Sequence, residues 1–355
     1  MNQINDPLFM GEGSSLLNQK VLRDYLSKHI ENFPNKPLEI KQFSTGVSNL
    51  TYLIQSGDWE AVLRRPPSGP LPPKAHDMKR ESHLLQKLHP LYSYIPKPYL
   101  YCDDKDIMGV PFYVMERKQG VVLDDKFPEG FKVTNELCIE ISVAVVDALA
   151  QLHLVDYKKA DLTSFGYPEG FLERQVNSWI SRYRKYETEN LDSFEQLANW
   201  FIHNIPQSRE ATIIHNDYKL NNMLFSKDYK RINAILDWEM ATIADPLFDL
   251  ASALGYWLEQ EDPDYLKESL PTVTTHPGFI KREEFIHRYS LKTGRDIPKL
   301  NFYMAFTYFK LAVALQQIHY RWKIGQSKDE RFEHFNKRVK NLMFHSYEVS
   351  KMNNL

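Results

Sequence analysis

The first third of the chain alternates short apolar runs with turn-forming residues, which is the pattern of a small sheet. Predicted strands cover residues 38–43, 50–55, 60–65 and 111–116. The second and third of these strands are separated only by a polar turn around Gly57, so they form a hairpin. Apolar residues at helical spacing predict helices over residues 14–30 and 76–88. This part of the chain therefore forms a small antiparallel sheet with a helix behind it.

Beyond Gly120 the apolar residues recur at steps of three and four, which is the period of buried helices. Predicted helices cover residues 137–152, 170–186, 191–205 and 302–322. A pair of strands is predicted at residues 223–225 and 232–236. The change of pattern predicts an α+β protein of two lobes, a sheet lobe over residues 1–117 and a mainly helical lobe over residues 118–355.

Composition and charge narrow the choice of partners. The 355 residues carry a formal net charge of -2 and no basic block, so we expect no nucleic-acid partner. The longest apolar run, residues 141–155, is too short and too polar to cross a bilayer, and residues 1–13 show no secretion signal. Two cysteines, Cys102 and Cys138, make neither a disulfide framework nor a zinc site. We therefore expect a cytoplasmic protein with no membrane partner, and the oligomeric state stays open.

The most informative stretch of the chain is polar. Asp217 and Asn222 lie five residues apart, and Asp237 directly follows the predicted strand pair. Phosphoryl transfer from ATP needs such a set, because one carboxylate aligns the attacking hydroxyl while an amide oxygen and a second carboxylate hold Mg²⁺ on the phosphates. We therefore interpret Asp217 as the catalytic base, and Asn222 and Asp237 as the catalytic Mg²⁺ ligands.

Other polar residues of this stretch have structural interpretations. His215 is expected to bond to the backbone and fix the loop. Asp245 stands before Pro246 and is a candidate helix N-cap. Asp249, near the start of the same helix, is expected to brace the loop from below. Glu239 has two interpretations, a second metal position or a carboxylate that faces solvent.

These residues resemble the aminoglycoside phosphotransferase and choline kinase group, whose members have a protein-kinase-like fold. The group's His-x-Asp-x-x-x-x-Asn motif corresponds to residues 215–222, its metal-binding aspartate to Asp237, and its Asp-Pro-x-x-Asp-Leu-Ala motif to residues 245–251. The similarity covers about residues 38–325. It is closest to the branch that contains the kinase-like domain fused to some acyl-CoA dehydrogenases. The resemblance implies an ATP- and Mg²⁺-dependent kinase that phosphorylates a hydroxyl of a small molecule.

The resemblance also implies residues that bind the nucleotide. Arg64 takes the place of the lysine that grips the α- and β-phosphates, and Glu81 is the partner of that cation. The strand ending at Met115 and Glu116, followed by Arg117, corresponds to the hinge whose backbone binds adenine. A turn before the second strand would cover the phosphates, with hydroxyls from Ser44, Thr45 and Ser48.

Three departures from the family pattern are visible. Arginine replaces lysine at position 64, and a planar fork is not a point charge. The phosphate-covering turn contains a single glycine, Gly46, and Asn216 stands where the family often has glycine. These departures concern the rate and the nucleotide geometry more than the fold.

The substrate class follows from spacing and charge. Only seven residues separate Asp237 from Asp245, so the long segment on which protein kinases hold peptides is absent, and a small molecule is indicated. Residues 255–355 contain 16 lysines and arginines against 12 aspartates and glutamates. A pocket for polycationic aminoglycosides should be acidic, so an anionic or CoA-linked hydroxyl compound fits better. The candidate substrate contacts are Glu239, Lys310, His319 and Arg321.

Two alternatives stay open. Besides a kinase for an anionic or CoA-linked compound, the chain could be an antibiotic kinase of the aminoglycoside type, or a nucleotide-binding regulatory protein of the same fold with little turnover.

Overall fold

The computed structural model describes residues 9–10, 18–43, 49–67 and 76–352. The chain forms two compact units, each assembled from three segments. The first, which we call the sheet unit, contains Met1–Val122, Lys158–Leu162 and Asn221–Met240. The second, the helical unit, contains Leu123–Tyr157, Thr163–Leu220 and Ala241–Leu355. The chain thus first leaves the sheet unit after Val122, and the lobe boundary expected after residue 117 stays a prediction.

The elements are numbered in chain order. The helices are α1 (Gln19–His29), α2 (Met78–Leu88), α3 (Lys105–Met108), α4 (Asn135–His153), α5 (Phe171–Tyr186), α6 (Asp192–Asn204), α7 (Pro246–Tyr256), α8 (Asp264–Ser269), α9 (Arg282–Thr293), α10 (Leu300–Lys323) and α11 (Phe335–Ser350). The strands are β1 (Phe9–Met10), β2 (Glu39–Phe43), β3 (Leu50–Ser56), β4 (Trp59–Arg65), β5 (Pro98–Cys102), β6 (Phe112–Glu116), β7 (Val121–Val122), β8 (Thr212–Ile214), β9 (Met223–Phe225), β10 (Ile232–Ile235) and β11 (Thr242–Ala244).

The main sheet of the sheet unit is antiparallel throughout, with strand order β1-β2-β3-β4-β6-β5. Successive side chains of a strand point to opposite faces. One face carries Ile54 of β3 and Leu63 of β4, and α1 covers this face with Leu22 and Leu26. All four side chains are buried, and burying a leucine or isoleucine contributes about 1.5–3 kcal/mol relative to leaving it exposed. This apolar contact therefore fixes α1 to the sheet.

The opposite face of the same sheet is covered by α2 and carries polar groups. Arg64 of β4 and Tyr113 of β6 are directly paired across the two strands. The Asp77 side chain accepts the N–H of Arg80 at 2.9 Å and caps α2. This cap sets where the helix begins, and therefore where Glu81 of its first turn stands.

A second, three-stranded sheet of the sheet unit has the order β10-β9-β7. It contains the predicted hairpin of β9 and β10, which ends one residue earlier than expected, at Ile235. Trp238 is buried beyond it and donates its indole N–H to the Ile235 carbonyl at 2.8 Å. The anchored tryptophan fixes the course of the backbone on either side of Asp237.

The helical unit is organised around α10, which packs against α5, α7 and α11. Phe201 of α6 contacts three aromatic rings of α10, those of Phe302, Phe306 and Phe309, with ring centroids 5.2–5.6 Å apart. Aromatic rings at these separations and tilted angles add stabilisation beyond the area they bury. The long helix therefore serves as the frame on which the shorter elements are placed.

Two short strands, β8 and β11, form an antiparallel pair in the helical unit. Directly after β11, the Asp245 side chain accepts the N–H of Leu247 at 2.8 Å and the hydroxyl hydrogen of Tyr303 at 2.9 Å. Asp245 is thus the predicted N-cap of α7. Burial raises the pKa of this carboxyl, against the opposing effect of the Leu247 and Tyr303 hydrogen bonds.

Five helices and the strands of the first hairpin were predicted within a few residues of their ends; the helices are α2, α4, α5, α6 and α10. No bounds were predicted for α9 and α11, although these helices are 12 and 16 residues long. The sequence pattern missed β1, β5, β7, β8 and β11. Apart from β5, these strands are two or three residues long. Such short strands contain too few residues to show the alternation of apolar and polar side chains by which a strand is recognised. Across the described part of the chain, no helix is long and apolar enough to span a membrane.

Candidate functional site

The centre of the sheet unit's polar face is the guanidinium of Arg64. Its NH1 lies 2.5 Å from Glu81 Oε1, its NH2 lies 3.0 Å from Asp237 Oδ1, and Glu239 Oε2 is 3.9 Å from NH2. The Arg64 and Glu81 side chains are both buried, whereas 38% of the Asp237 side chain is exposed. The cation is therefore anchored from behind by Glu81 and meets a solvent-facing carboxylate in front.

Burial and charge act in opposite directions on this cluster. Burial alone would lower the pKa of Arg64, but Glu81, Tyr113 and Asp237 together hold that pKa well above its ordinary value. Burial raises the pKa of the Glu81 carboxyl, and the Arg64 guanidinium opposes that rise. Arg64 is thus a permanent positive charge in this position.

The planar fork lets Arg64 contact two carboxylates at once. Two different nitrogens of Arg64 each contact one carboxylate, so the side chain bridges Glu81 and Asp237 at once. A lysine would present a single ammonium on a flexible stem and could not hold the same two directions with separate atoms. The predicted partnership of Arg64 with Glu81 is present, and the roles of both residues on a nucleotide stay predictions.

Asn222 and Asp237 are brought side by side by the backbone. The N–H of Leu236 donates to the Asn222 carbonyl at 2.8 Å, which ties the residue before β9 to the residue before Asp237. Asp237 has a φ of +67°, a conformation that non-glycine residues rarely adopt. Backbone strain of this kind concentrates at functional sites, where the surrounding structure holds it in place.

These residues fit a magnesium ion in their chemistry. In the described ranges no group of three or more His, Cys, Asp or Glu side chains forms a metal cluster. Mg²⁺ usually takes one or two protein carboxylates and completes its shell with phosphate oxygens and water. Asn222 and Asp237 supply hard oxygen donors of that type, so a metal bound together with a nucleotide suits them better than a metal bound by protein alone.

Glu239 belongs to a hydrogen-bonded chain that the sequence did not predict. Its Oε2 accepts from Asn49 Nδ2 at 2.7 Å, and Asn49 Oδ1 lies 2.7 Å from His76 Nδ1. A carboxylate only accepts hydrogen bonds, so the Asn49 amide must turn its NH₂ toward Glu239 and its oxygen toward His76. His76 therefore carries its proton on Nδ1. Glu239 is held by neighbours rather than pointing freely into solvent.

The structure describes some of the other residues that were predicted to bind the nucleotide, and others lie outside the described ranges. Met115 and Glu116 end β6, between β4 and β5. The N–H of Glu116 donates to Lys97 O at 2.8 Å, and Arg117 NH1 lies 2.6 Å from Glu60 Oε2. The three predicted phosphate-covering hydroxyls lie outside the described residues; they are Ser44, Thr45 and Ser48.

In the helical unit, the loop of residues 215–219, which we call the Asp217 loop, leaves β8 over a buried carboxylate. Asp249 of α7 accepts the N–H of His215 on Oδ2 and the N–H of Asn216 on Oδ1, both at 2.7 Å. The N–H of Asp217 points to His215 Nδ1 at 3.3 Å. Asp249 braces the loop and His215 bonds to its backbone, as the sequence predicted.

The carboxylate below the loop is itself held by a buried histidine. Asp249 Oδ2 is 3.2 Å from His153 Nε2, and His153 Nδ1 is 2.7 Å from the Tyr289 hydroxyl. Burial lowers the pKa of His153, and a neutral ring donates from Nε2 to Asp249 while accepting from Tyr289. Burial would raise the pKa of Asp249, but the His153 and backbone hydrogen bonds lower it below the usual value. Asp249 is therefore a stable anion.

Asp217 is flanked by groups that the sequence left unassigned. Lys219 Nζ lies 3.0 Å from Asp217 Oδ2 and 5.2 Å from the ring centroid of Tyr256. Burial, together with the charge of Asp217 and a hydrogen bond to it, raises the pKa of Tyr256 well above its ordinary value. The ion pair of Lys219 with Asp217 could have been predicted from the sequence, because the lysine follows the proposed base by two residues on the same loop.

The three substrate candidates on α10, Lys310, His319 and Arg321, lie in different surroundings. Lys310 is buried beneath the Asp217 loop, with Nζ 2.8 Å from Asn216 Oδ1. His319 is buried, and its Nδ1 is 3.0 Å from the Phe332 carbonyl, while the exposed Arg321 bonds to Gln317 of its own helix. Nine residues of α-helix separate Lys310 from His319, or about 14 Å. Only Lys310 is brought to the Asp217 loop, and substrate binding by all three stays a prediction.

The comparisons with known proteins agree on one family. The model of the Phosphotransferase enzyme family matches residues 39–271. Acyl-CoA dehydrogenase family member 11 of Gallus gallus is 35% identical over 344 residues, which cover 94% of this chain and 43% of that protein. The chain spans less than half the length of the curated relatives that it matches.

Solved structures share the fold. A presumed aminoglycoside phosphotransferase from Ralstonia eutropha has a TM-score of 0.82 at 27% identity, covering 94% of this chain and 98% of that one. Choline kinase from Cryptosporidium parvum has a TM-score of 0.60 at 15% identity, covering 92% and 97%, and its likeness shows the fold alone. The predicted protein-kinase-like class, with a small antiparallel sheet and a mainly helical part, is confirmed.

We expect Asp249→Asn to lower the free energy of unfolding by about 3 kcal/mol, because an amide cannot accept from both backbone N–H groups on two oxygens. Chemical denaturation measures this, with Asp296→Asn as a control at an exposed aspartate of the same unit. Because the pKa of Asp249 is lowered, its contribution is present above the ordinary carboxyl range and is lost in acid, so the difference should narrow there. Equal stability of the two variants at neutral pH would contradict the bracing role.

Proposed function

The chain belongs to the Phosphotransferase enzyme family, and we propose that it transfers the γ-phosphoryl group of ATP to a hydroxyl group of a small molecule. The family and the structural relatives support a small-molecule phosphotransferase, and the nucleotide, the metal and the acceptor are our proposal. A cytoplasmic location suits the two cysteines, which are both buried and unpaired.

The observation that carries the proposal is the Arg64 bridge. A buried, permanently charged guanidinium is fixed by Glu81 on one side and presents its other nitrogen to the partly exposed Asp237. A protein that only needed a stable core would gain nothing from burying this charge. An anion such as a nucleotide phosphate is the ligand that such a preorganised cation attracts.

In the proposed reaction the hydroxyl oxygen attacks the γ-phosphorus, and the bond from that phosphorus to the β–γ bridging oxygen breaks. ADP leaves with the bonding electrons, and the hydroxyl proton passes to Asp217 and then to water. Arg64 holds the nucleotide phosphates, and Asn222 and Asp237 would hold Mg²⁺, which neutralises phosphate charge when it is bound. Asp217 aligns the hydroxyl through a hydrogen bond and need not be a strong base, because the transition state is loose.

The acceptor that we favour is an anionic or CoA-linked hydroxyl compound. Residues 255–355 carry more basic than acidic side chains, which suits a negatively charged substrate. The relative from Gallus gallus carries this domain in a protein whose name refers to acyl-CoA. Both observations point away from a polycationic antibiotic.

One observation favours a second candidate, an aminoglycoside kinase. The structure from Ralstonia eutropha, at 27% identity and a TM-score of 0.82, belongs to a presumed aminoglycoside phosphotransferase. A regulatory protein with little turnover is the third possibility, and it is disfavoured because Asp217, Asn222 and Asp237 are all present.

The acceptor class is tested by measuring ADP release from purified protein with Mg²⁺-ATP and a panel of hydroxyacyl-CoAs, aminoglycosides, choline and sugars. We expect the highest kcat/KM with a hydroxyacyl-CoA or another anionic alcohol. Faster turnover of an aminoglycoside would replace our acceptor class with the second candidate. Nucleotide binding without ADP release on any acceptor would support the regulatory alternative.

Asp217→Asn should lower kcat by about 10²-fold or more and leave the Kd for Mg²⁺-ATP nearly unchanged, because the amide cannot accept the hydroxyl proton. Stopped-assay ADP release and calorimetry give the two values. Asp228→Asn is the control, since Asp228 lies in the exposed β9–β10 turn and contacts only that turn. Normal turnover of Asp217→Asn would show that another group aligns the acceptor.

Asp237→Ala should weaken nucleotide binding in the presence of Mg²⁺ and should make the Kd insensitive to added Mg²⁺, because a carboxylate donor is lost. Calorimetric titrations of ATP with and without Mg²⁺ measure this, with Asp228→Ala as the matched control on the same hairpin. If the unaltered protein bound ATP equally well with and without the metal, the assignment of Asp237 would fall.

A further inference from the structure

A buried ammonium lies directly beneath the Asp217 loop. Lys310 of α10 is 7% exposed, and its Nζ is 2.8 Å from Asn216 Oδ1 and 3.3 Å from Asn216 O. The same atom lies 4.9 Å from the ring centroid of Phe248. No carboxylate of the described residues lies within ion-pair distance of it. Burying an ammonium without a carboxylate partner is unfavourable, so apolar packing alone does not account for a lysine at this position.

Asn216 needs to be held. It stands between His215 and Asp217 with a φ of +67°, in the left-handed region. A non-glycine residue costs roughly 1–2 kcal/mol there, although asparagine tolerates the region better than most. Its N–H is fixed by Asp249 at 2.7 Å, and both of its oxygens face Lys310. The peptide that leads into Asp217 is thus gripped from two elements, α7 and α10.

We propose that Lys310 is a positioning residue, which clamps Asn216 in its left-handed conformation so that Asp217 faces the acceptor hydroxyl. The inference rests on the proposed function and gives Lys310 a role in kcat rather than in substrate binding. It also explains the asparagine at a position where the family often has glycine. Glycine adopts a positive φ without support, whereas asparagine here is supported by a charge-assisted hydrogen bond.

The clamp makes a prediction about pH. Burial lowers the pKa of Lys310 to about 8; the charges of Asp217 and Asp249 oppose this effect, and Lys219 adds to it. The ammonium is therefore present below about pH 8 and is lost as the pH rises through that value. The clamp loses its charge-assisted strength in the same range, so kcat should fall on the alkaline side.

The test is a double-mutant cycle of Lys310→Met and Asn216→Gly. ADP release is followed with Mg²⁺-ATP and hydroxybutyryl-CoA, and with water alone as acceptor. We expect Lys310→Met to lower kcat about tenfold or more with little change in the acceptor KM, because a misplaced catalytic group costs rate. In the Asn216→Gly background, Lys310→Met should lower kcat less than about threefold. In this double variant, the fall of kcat at alkaline pH should disappear.

Three results would overturn the clamp. The first is an equal loss of kcat on Lys310→Met with Asn216 in place and in the Asn216→Gly background. The second is a raised acceptor KM with unchanged kcat in Lys310→Met. The third is a fall of kcat at alkaline pH that persists in the double variant. Amide hydrogen exchange at residues 215–217 provides a readout that needs no turnover: the clamp requires faster exchange in Lys310→Met than in the unaltered protein. If the unaltered protein releases no ADP with any acceptor, the proposed function fails, and hydrogen exchange still decides for or against the clamp.

Discussion

A charge that is removed from water must be satisfied by its immediate neighbours, and this constraint fixes the candidate functional side chains of both units. Arg64 is a buried cation of the sheet unit, and Asp249 is a buried anion of the helical unit. Neither can be left unpaired, because the desolvation of an isolated charge far exceeds the net stability of a domain. The partners of Arg64 include Asp237, and the partners of Asp249 include the backbone that precedes Asp217. Folding therefore places both proposed functional carboxylates before any ligand binds.

The two carboxylates share a further property. Asp237 itself, and Asn216 immediately before Asp217, both have a φ of +67°. Such strain persists only where the surrounding contacts hold it. In the sheet unit the buried Trp238 supplies that support. In the helical unit Asp249 accepts the N–H of Asn216, and Lys310 donates to its side-chain oxygen. The strained backbone thus lies at Asp237 and directly before Asp217, the two carboxylates to which the proposed function assigns roles.

The planar guanidinium of Arg64 connects three parts of the sheet unit. A fork with two separated nitrogens binds Glu81 and Asp237 at the same time. The cation, helix α2 and Asp237, two residues after the end of β10, are therefore fixed relative to one another. The chain of Asn49, His76 and Glu239 adds a second connection around the same cation. The polar face of the sheet is therefore a network in which each group limits the freedom of the next.

The sequence by itself determined several of the long helices, such as α4 and α10, because apolar residues that recur over many turns reveal the period of a helix. The spacing selected Asp217, Asn222 and Asp237 as candidate site residues, whose roles stay predictions. The position of Asp245 before proline predicted the helix cap that the structure contains. Only the tertiary structure decided that Lys310 and His153 serve the Asp217 loop, and that Asn49 and His76 hold Glu239. The partners in these contacts are 27 to 190 residues apart in the chain, and a local pattern carries no information about which distant side chain will satisfy a buried polar group.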